Sequence, residues 1–424
     1  MPKTSAVRPT TDPTNSPSGD GIWPRITREV ADDLAVDAIT RDRAGKPPHD
    51  ELCRLREAGL PALLLPPAPP RRGADWRTAC AVIREISAAD GSIGELLGRH
   101  YVLSWSARLF GTPEMADVLE LQAAEEQWLW GGSTDVPGTE PETGSGPELT
   151  LTPTPDGYAL NGHRSFAAGV TVADRLVLGA VCTGTGESLI VLVDPAHPGV
   201  TAVPAHDRLG QRLTGAGTLG FEGVPVRPGQ VLGAVPHDEH DVSPFATLAP
   251  LALRLALVHV GLGIAEGALA EARDVGRTAP RSWLPTEGTE GGGYAGQPGG
   301  DPYLLLAYGE LVAAAHTAAA VVEPATEALA RGLLRGRALD VEERADIAVL
   351  VAAAEAVTSR SALHITTRIL ELTEGTDSPA GGPGFDRFWR NARVLTAQCS
   401  PTHRLRDIGD HYLNGTHPPL TLHI

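Results

Sequence analysis

Between Trp128 and about Leu232 the chain abandons the 3.6-residue apolar period that governs the sequence on either side. In its place stand short runs of aliphatic and β-branched residues, Glu148–Thr152, Arg175–Leu178, Ser188–Val193 and Thr218–Glu222, punctuated by Gly, Pro and Asp. Such runs are too short for helices and have the spacing of a small antiparallel β domain. A helical half, a sheet and a second helical half must therefore share one chain, which restricts the fold to an α+β class that is mostly α.

The flanking halves are periodic. Val30, Leu34, Ala38, Leu52 and Leu55 recur at helical spacing, and Gly45-Lys46-Pro47-Pro48 divides them into two amphipathic helices. Asp75 stands where an N-cap is needed for a helix through Trp76, Cys80, Ile83 and Ile86, and Asp90-Gly91-Ser92 ends that helix and starts the next. A break at Gly111-Thr112-Pro113 precedes a last helix reaching about Gln127. After Pro244 the helical period returns, with Ala and Gly at many positions of 251–272 and 304–334, as expected of a closely packed bundle. The expected division is a disordered leader at 1–22, an N-terminal helical domain at 23–127, the β domain at 128–236 and a C-terminal helical bundle at 237–424. The glycine-rich stretch 287–301 is expected to be a mobile loop that closes over a ligand.

A net charge of −17 argues against nucleic acid or an anionic membrane as the main partner, because phosphate backbones select a positive field. The apolar stretch 248–272 is interrupted by Arg254, His259, Glu266 and Glu271, which suits a buried helix rather than a lipid-exposed one. Four widely spaced cysteines and no apolar run in the polar, Pro-rich beginning of the chain point to a cytoplasmic protein acting on a small molecule. Gly215-Ala-Gly217-Thr-Leu-Gly220 spells G-x-G-x-x-G, but a strand and turn follow it where a dinucleotide site needs a helix N-terminus. The pairs His237/His240 and His411/His417 lack further ligands at metal-site spacing, so no metal is expected.

Two stretches carry more information. Trp130-Gly-Gly-Ser133-Thr134-Asp135 places small residues and hydroxyls at the helix-to-strand transition, where backbone can approach a flat ligand and bond its edge. Residues 384–419 crowd Arg387, Arg390, Arg393, Arg404 and Arg406 together with His403 and His411 into an otherwise acidic chain. Those arginines either pair with the surplus carboxylates or hold a negative group.

With these segments in view, the chain resembles the acyl-CoA dehydrogenase superfamily from Trp23 to Pro419. Asn161-Gly-His-Arg-Ser-Phe166-Ala-Ala-Gly is similar to the motif that packs on the flavin in that superfamily, and Gly210-Gln-Arg-Leu-Thr-Gly is similar to its closing β segment. Gly98-Arg-His100-Tyr101, Arg281-Ser-Trp283, Phe385–Arg393 and His403–Gly415 resemble the flavin-dependent monooxygenases of the dibenzothiophene monooxygenase type. The resemblance implies reduced FMN or FAD supplied by a separate flavin reductase, O2 as cosubstrate, a flavin C4a-hydroperoxide, and oxygenation of a small substrate at N, S or aromatic C. It also implies a homo-oligomer, a tetramer by family habit.

By the same resemblance Ser133, Thr134, Phe166 and Ala168 contact the flavin, Arg281 holds its phosphate, and His206 and Tyr101 line the substrate pocket. His403 and His100 are the implied catalytic pair beside the reactive edge. Ala168 stands where the family usually has a hydroxyl, which leaves backbone N–H groups to bond the ring, and His206 stands where it usually has tryptophan. Two other functions compete: an acyl-CoA dehydrogenase, for which Glu371 or Glu374 would have to be the base, and a non-catalytic binding or assembly protein.

Overall fold

The computed structural model describes residues 21–65, 73–135, 149–236, 242–278, 302–373, 384–397 and 401–422. The expected leader up to residue 20 and the 287–301 loop lie outside them. Helices α1 (Trp23–Ala44), α2 (His49–Glu57), α3 (Trp76–Ala89), α4 (Gly91–Ser104), α5 (Ser106–Phe110) and α6 (Pro113–Glu126) come first. The capping logic holds at atomic level. Asp75 Oδ1 accepts the Thr78 N–H at 2.8 Å, and Asp90 Oδ1 accepts those of Ser92 and Ile93 at 3.0 and 3.2 Å, so one carboxylate closes α3 and opens α4.

Strands β1 (Trp130–Ser133), β2 (Leu149–Thr154), β3 (Gly157–Phe166), β4 (Arg175–Cys182), β5 (Ser188–Val193), β6 (Val200–Pro204), β7 (Gly217–Val226) and β8 (Val231–Val235) form one sheet in the order β6-β7-β3-β2-β4-β5-β8, with β1 on β4. The sheet is mixed, which corrects the antiparallel expectation: β1 and β2 both run parallel to β4. The cause is local. The Leu129 N–H donates to Asp174 Oδ2 at 2.7 Å and the Leu129 carbonyl accepts the Asp174 N–H at 2.9 Å, so the chain leaving α6 is fixed beside the start of β4 in the same direction. The G-x-G-x-x-G stretch enters β7 and opens no helix.

Helices α7 (Leu248–Thr278), α8 (Pro302–Arg335), α9 (Val341–Thr373), α10 (Asp386–Ala397) and α11 (Pro401–Asn414) complete the fold. By length and composition α7, α8 and α9 could each cross a membrane, yet the apolar stretch of α7 is wholly buried by protein. It is the axis of the bundle, packed against α3, α4, α8, α9 and α10. Small residues make that possible: a Cβ on Gly267 would lie 2.0 Å from the Ala88 carbonyl oxygen, so α3 and α7 touch backbone to side. The polar interruptions of α7 find partners inside the bundle, Arg254 in Glu355 at 2.8 Å and His259, through Nε2, in Thr326 at 2.8 Å.

Candidate functional site

The turn that follows β1 and the segment that follows β3 lie against each other. Gly132 has φ +110°, and a Cβ there would meet the Val177 carbonyl oxygen at 2.1 Å, so β1 presses onto β4 as only glycine permits. A Cβ on Gly131 would sit 3.0 Å from the Gly169 carbonyl, which brings 131–135 beside 167–171. Ser133 Oγ donates to Asp135 Oδ2 at 2.9 Å and accepts the Asp135 N–H at 3.1 Å. Arg164 donates to the Asp135 carbonyl at 2.6 Å, and its guanidinium lies 5.4 Å from the centre of the Phe166 ring.

The 167–171 segment is pinned from one side. Arg208 Nη1 donates to the Ala167 carbonyl and to Thr214 Oγ1, both at 2.8 Å, and the Gly169 N–H donates to the Thr214 carbonyl at 2.7 Å. What remains is a set of polar groups without protein partners. Asp135 Oδ1 and Thr171 Oγ1 are buried and unbonded, and the Ala168 N–H finds no acceptor among the described residues. Buried polar atoms are rarely left so, and these belong to the adjacent segments 131–135 and 167–171. The arrangement fits the edge and face of a planar heterocycle with alternating donors and acceptors.

The stretches that carry Ser133 and Thr134 on one side and Phe166 and Ala168 on the other are thus adjacent. The remaining expectations fare differently. His100 is fully buried beneath β1, its Nδ1 accepting the Trp130 N–H at 3.1 Å and its Nε2 donating to the Pro61 carbonyl at 2.8 Å. Both ring nitrogens are therefore occupied by backbone, and burial holds its pKa down at about 4. In this structure His100 ties β1 to the segment before α3. Tyr101 is likewise fully buried, its hydroxyl donating to the Leu60 carbonyl at 3.0 Å, so it braces the chain before α3 rather than lining a pocket.

His206 is exposed on the loop after β6. His403 is exposed in the first turn of α11. Arg281 and Glu374 lie outside the described residues. Glu371, the other carboxylate considered as a dehydrogenase base, is exposed and ion-paired with Arg368.

Sequence reasoning gave no individual role to Asp135, Arg164 or Thr214, although it singled out the stretches that hold them, and it passed over Thr171 and Arg208. Only Arg208 had a local signal, and it is backbone geometry: Asp207 and Gln211 on either side of it adopt φ of 55° and 53°, rare for residues other than glycine. The Gln211 N–H also donates to Asn391 Oδ1 at 2.7 Å, tying this loop to α10.

The architecture is that of the acyl-CoA dehydrogenases. Butyryl-CoA dehydrogenase from Megasphaera elsdenii superimposes with a TM-score of 0.75 over 94% of this chain and 99% of its own, at 19% identity, a likeness of fold alone. No family profile matches the chain. Dibenzothiophene monooxygenase from Rhodococcus qingshengii is 34% identical over 98% of both chains. A probable FMNH2-dependent monooxygenase, SfnC, from Pseudomonas putida is 32% identical over 96% of this chain and 98% of its own. Among solved structures, TdsC of Paenibacillus sp. A11-2 in complex with FMN and indole gives a TM-score of 0.84 at 30% identity, over 94% of this chain and 99% of its own. Within the acyl-CoA dehydrogenase-like class, then, the chain belongs to the flavin-dependent monooxygenases of the dibenzothiophene monooxygenase type.

Proposed function

We propose that this monooxygenase takes reduced FMN from a separate reductase and, with O2, oxygenates a small planar heteroaromatic substrate at sulfur, nitrogen or ring carbon. The observation that carries this is the adjacency of segments 131–135 and 167–171, whose unpartnered Asp135 Oδ1, Thr171 Oγ1 and Ala168 N–H offer both donor and acceptor to a flavin edge. Support for FMN and for a fused aromatic ring comes from TdsC, solved with FMN and indole, and from the dibenzothiophene monooxygenases.

Reduced flavin, when bound, supplies the electrons that activate O2. The chain's residues do the rest. Phe166 gives the ring a face and Ala168 a backbone donor. Arg208 and Thr214 hold the Ala167 carbonyl away from the ring, so that the next N–H points free. Arg281 is proposed to hold the flavin phosphate through a charge-assisted contact. Exclusion of water from the reacting edge then decides between oxygen transfer and wasteful release of hydrogen peroxide.

The assembly is proposed to be a soluble, cytoplasmic homo-oligomer. A cleft of about 530 Å³ between α7 and α8 is bordered by Leu269, Leu304, Leu305, Tyr308 and Val312, and Tyr303, Leu305 and Leu306 nearby are 81%, 59% and 62% exposed. That is more apolar surface than a monomer ordinarily leaves to water.

The deciding experiment supplies a flavin reductase, NADH and FMN under ¹⁸O2, with indole, dibenzothiophene and a short sulfinate offered separately. One ¹⁸O per product on a ring substrate is the expected result. Hydrogen peroxide as the sole product with every class, or reduction of tightly held FAD by an acyl-CoA, would overturn the proposal.

A further inference from the structure

The arginines of residues 384–419 divide into two groups. Arg387 pairs with Glu271, Arg390 with Asp42 at 2.5 Å and Asp386 at 3.0 Å, and Arg406 with Asp407 at 3.3 Å, so for these three the carboxylate reading holds. Half-buried Arg404 in α11 has no carboxylate within 4.0 Å among the described residues.

Across from it on α9, Arg344 is only 2% exposed and is equally without a carboxylate. Its Nε donates to Thr247 Oγ1 at 2.8 Å and its Nη1 to the Pro418 carbonyl at 3.1 Å, which leaves three of its five N–H groups unused. Both side chains border one cavity of about 30 Å³, closed by Arg254, Asp407, Pro418 and Thr421. Arg254 is neutralised by Glu355, and Asp407 is engaged by Arg406. Among the described residues, then, neither Arg344 nor Arg404 is paired with a carboxylate, and the one carboxylate in the wall, that of Asp407, is held by Arg406.

Burying such a charge unpaired is costly, and the cost falls when a counter-charge enters. Burial first, and then the nearby Arg254 guanidinium, which still repels although Glu355 pairs with it, depress the pKa of Arg344 to about 10. At about 30 Å³ the cavity has room for a monoatomic ion and none for a nucleotide or an aromatic substrate. We propose that this cavity binds one small inorganic anion of the halide class, bridging Arg344 of α9 and Arg404 of α11. Bound there, it clips 401–422 onto the bundle through a site separate from the flavin site.

Bromide tests this directly. Crystals grown without chloride and soaked in sodium bromide should show an anomalous peak between the two guanidinium groups. In solution Tm should be higher in sodium chloride or bromide than in sodium gluconate of equal ionic strength. That halide-specific rise should disappear in Arg404→Met, a variant expected to fold because Arg404 makes no hydrogen bond or ion pair to the described residues. A water without anomalous signal in the cavity, or a halide-specific rise that persists in Arg404→Met, overturns the proposal.

Discussion

Replacing His100 by leucine should weaken the fold and not merely silence a folded enzyme. The imidazole is fully buried and serves two backbone groups, the Trp130 N–H at 3.1 Å and the Pro61 carbonyl at 2.8 Å. Leucine fills most of the space and bonds neither. Each orphaned buried group costs ~1–3 kcal/mol, so the variant should lose ~2–6 kcal/mol, a large part of the ~5–15 kcal/mol that holds a typical protein folded. A urea titration followed by tryptophan fluorescence at pH 7.5 reads the loss as a lower midpoint.

The pH dependence supplies a second arm. The native ring is neutral down to about 4, whereas an unconstrained histidine titrates at 6.5, so between those values the unfolded chain binds more protons than the native one. The resulting stability is complete above pH 6.5 and is lost as pH falls towards 4, and the gap corresponds to ~3 kcal/mol at most. His259, held down to about 3 by burial and then by Arg84, acts in the same direction. The leucine variant should retain only the His259 share of this acid sensitivity. If it keeps the wild-type midpoint and acid profile while oxygenation collapses, the ring belongs to the chemistry and the structural assignment is wrong.

Three further outcomes follow from the geometry. Gly132→Ala should both destabilise the protein and weaken flavin binding, since its Cβ would fall 2.1 Å from the Val177 carbonyl at a φ of +110°; an unchanged Tm with unchanged flavin affinity in fluorescence titration refutes the close approach. Arg208→Met should weaken binding of reduced FMN on the order of 10-fold by freeing the Ala167 carbonyl, with a smaller change in Tm; anaerobic titration checks it, and an affinity equal to wild type would falsify the positioning role. Leu305→Asp combined with Leu306→Asp should lower the mass seen by light scattering, and an unchanged mass would move the subunit interface away from α8.

Local rules were legible wherever one residue controls one backbone event. Asp75 and Asp90 cap the helices they precede, Pro113 begins α6, and the run Ser188–Val193 is β5 residue for residue. Direction within the sheet was not legible, because parallel pairing of β1 with β4 depends on the Asp174 carboxylate reaching Leu129 across 45 residues of chain. The site divided along the same line. Ser133, Thr134, Phe166 and Ala168 belong to two continuous stretches, and those stretches lie side by side at Gly131 and Gly169. Arg208 acts on Ala167, 41 residues away, and nothing in its neighbours' identities announces that. The two histidines that the resemblance singles out sit in different surroundings. His100 and His403 carry the same imidazole, yet one is locked between two backbone groups and the other faces solvent, and only burial and partners separate those fates. The arginine-rich stretch makes the converse point. Counting charges offered ion pairing and anion binding as alternatives for all its members, and position assigns them one by one. Arg387, Arg390 and Arg406 meet carboxylates, whereas Arg404 meets Arg344 across a cavity with room for a single ion.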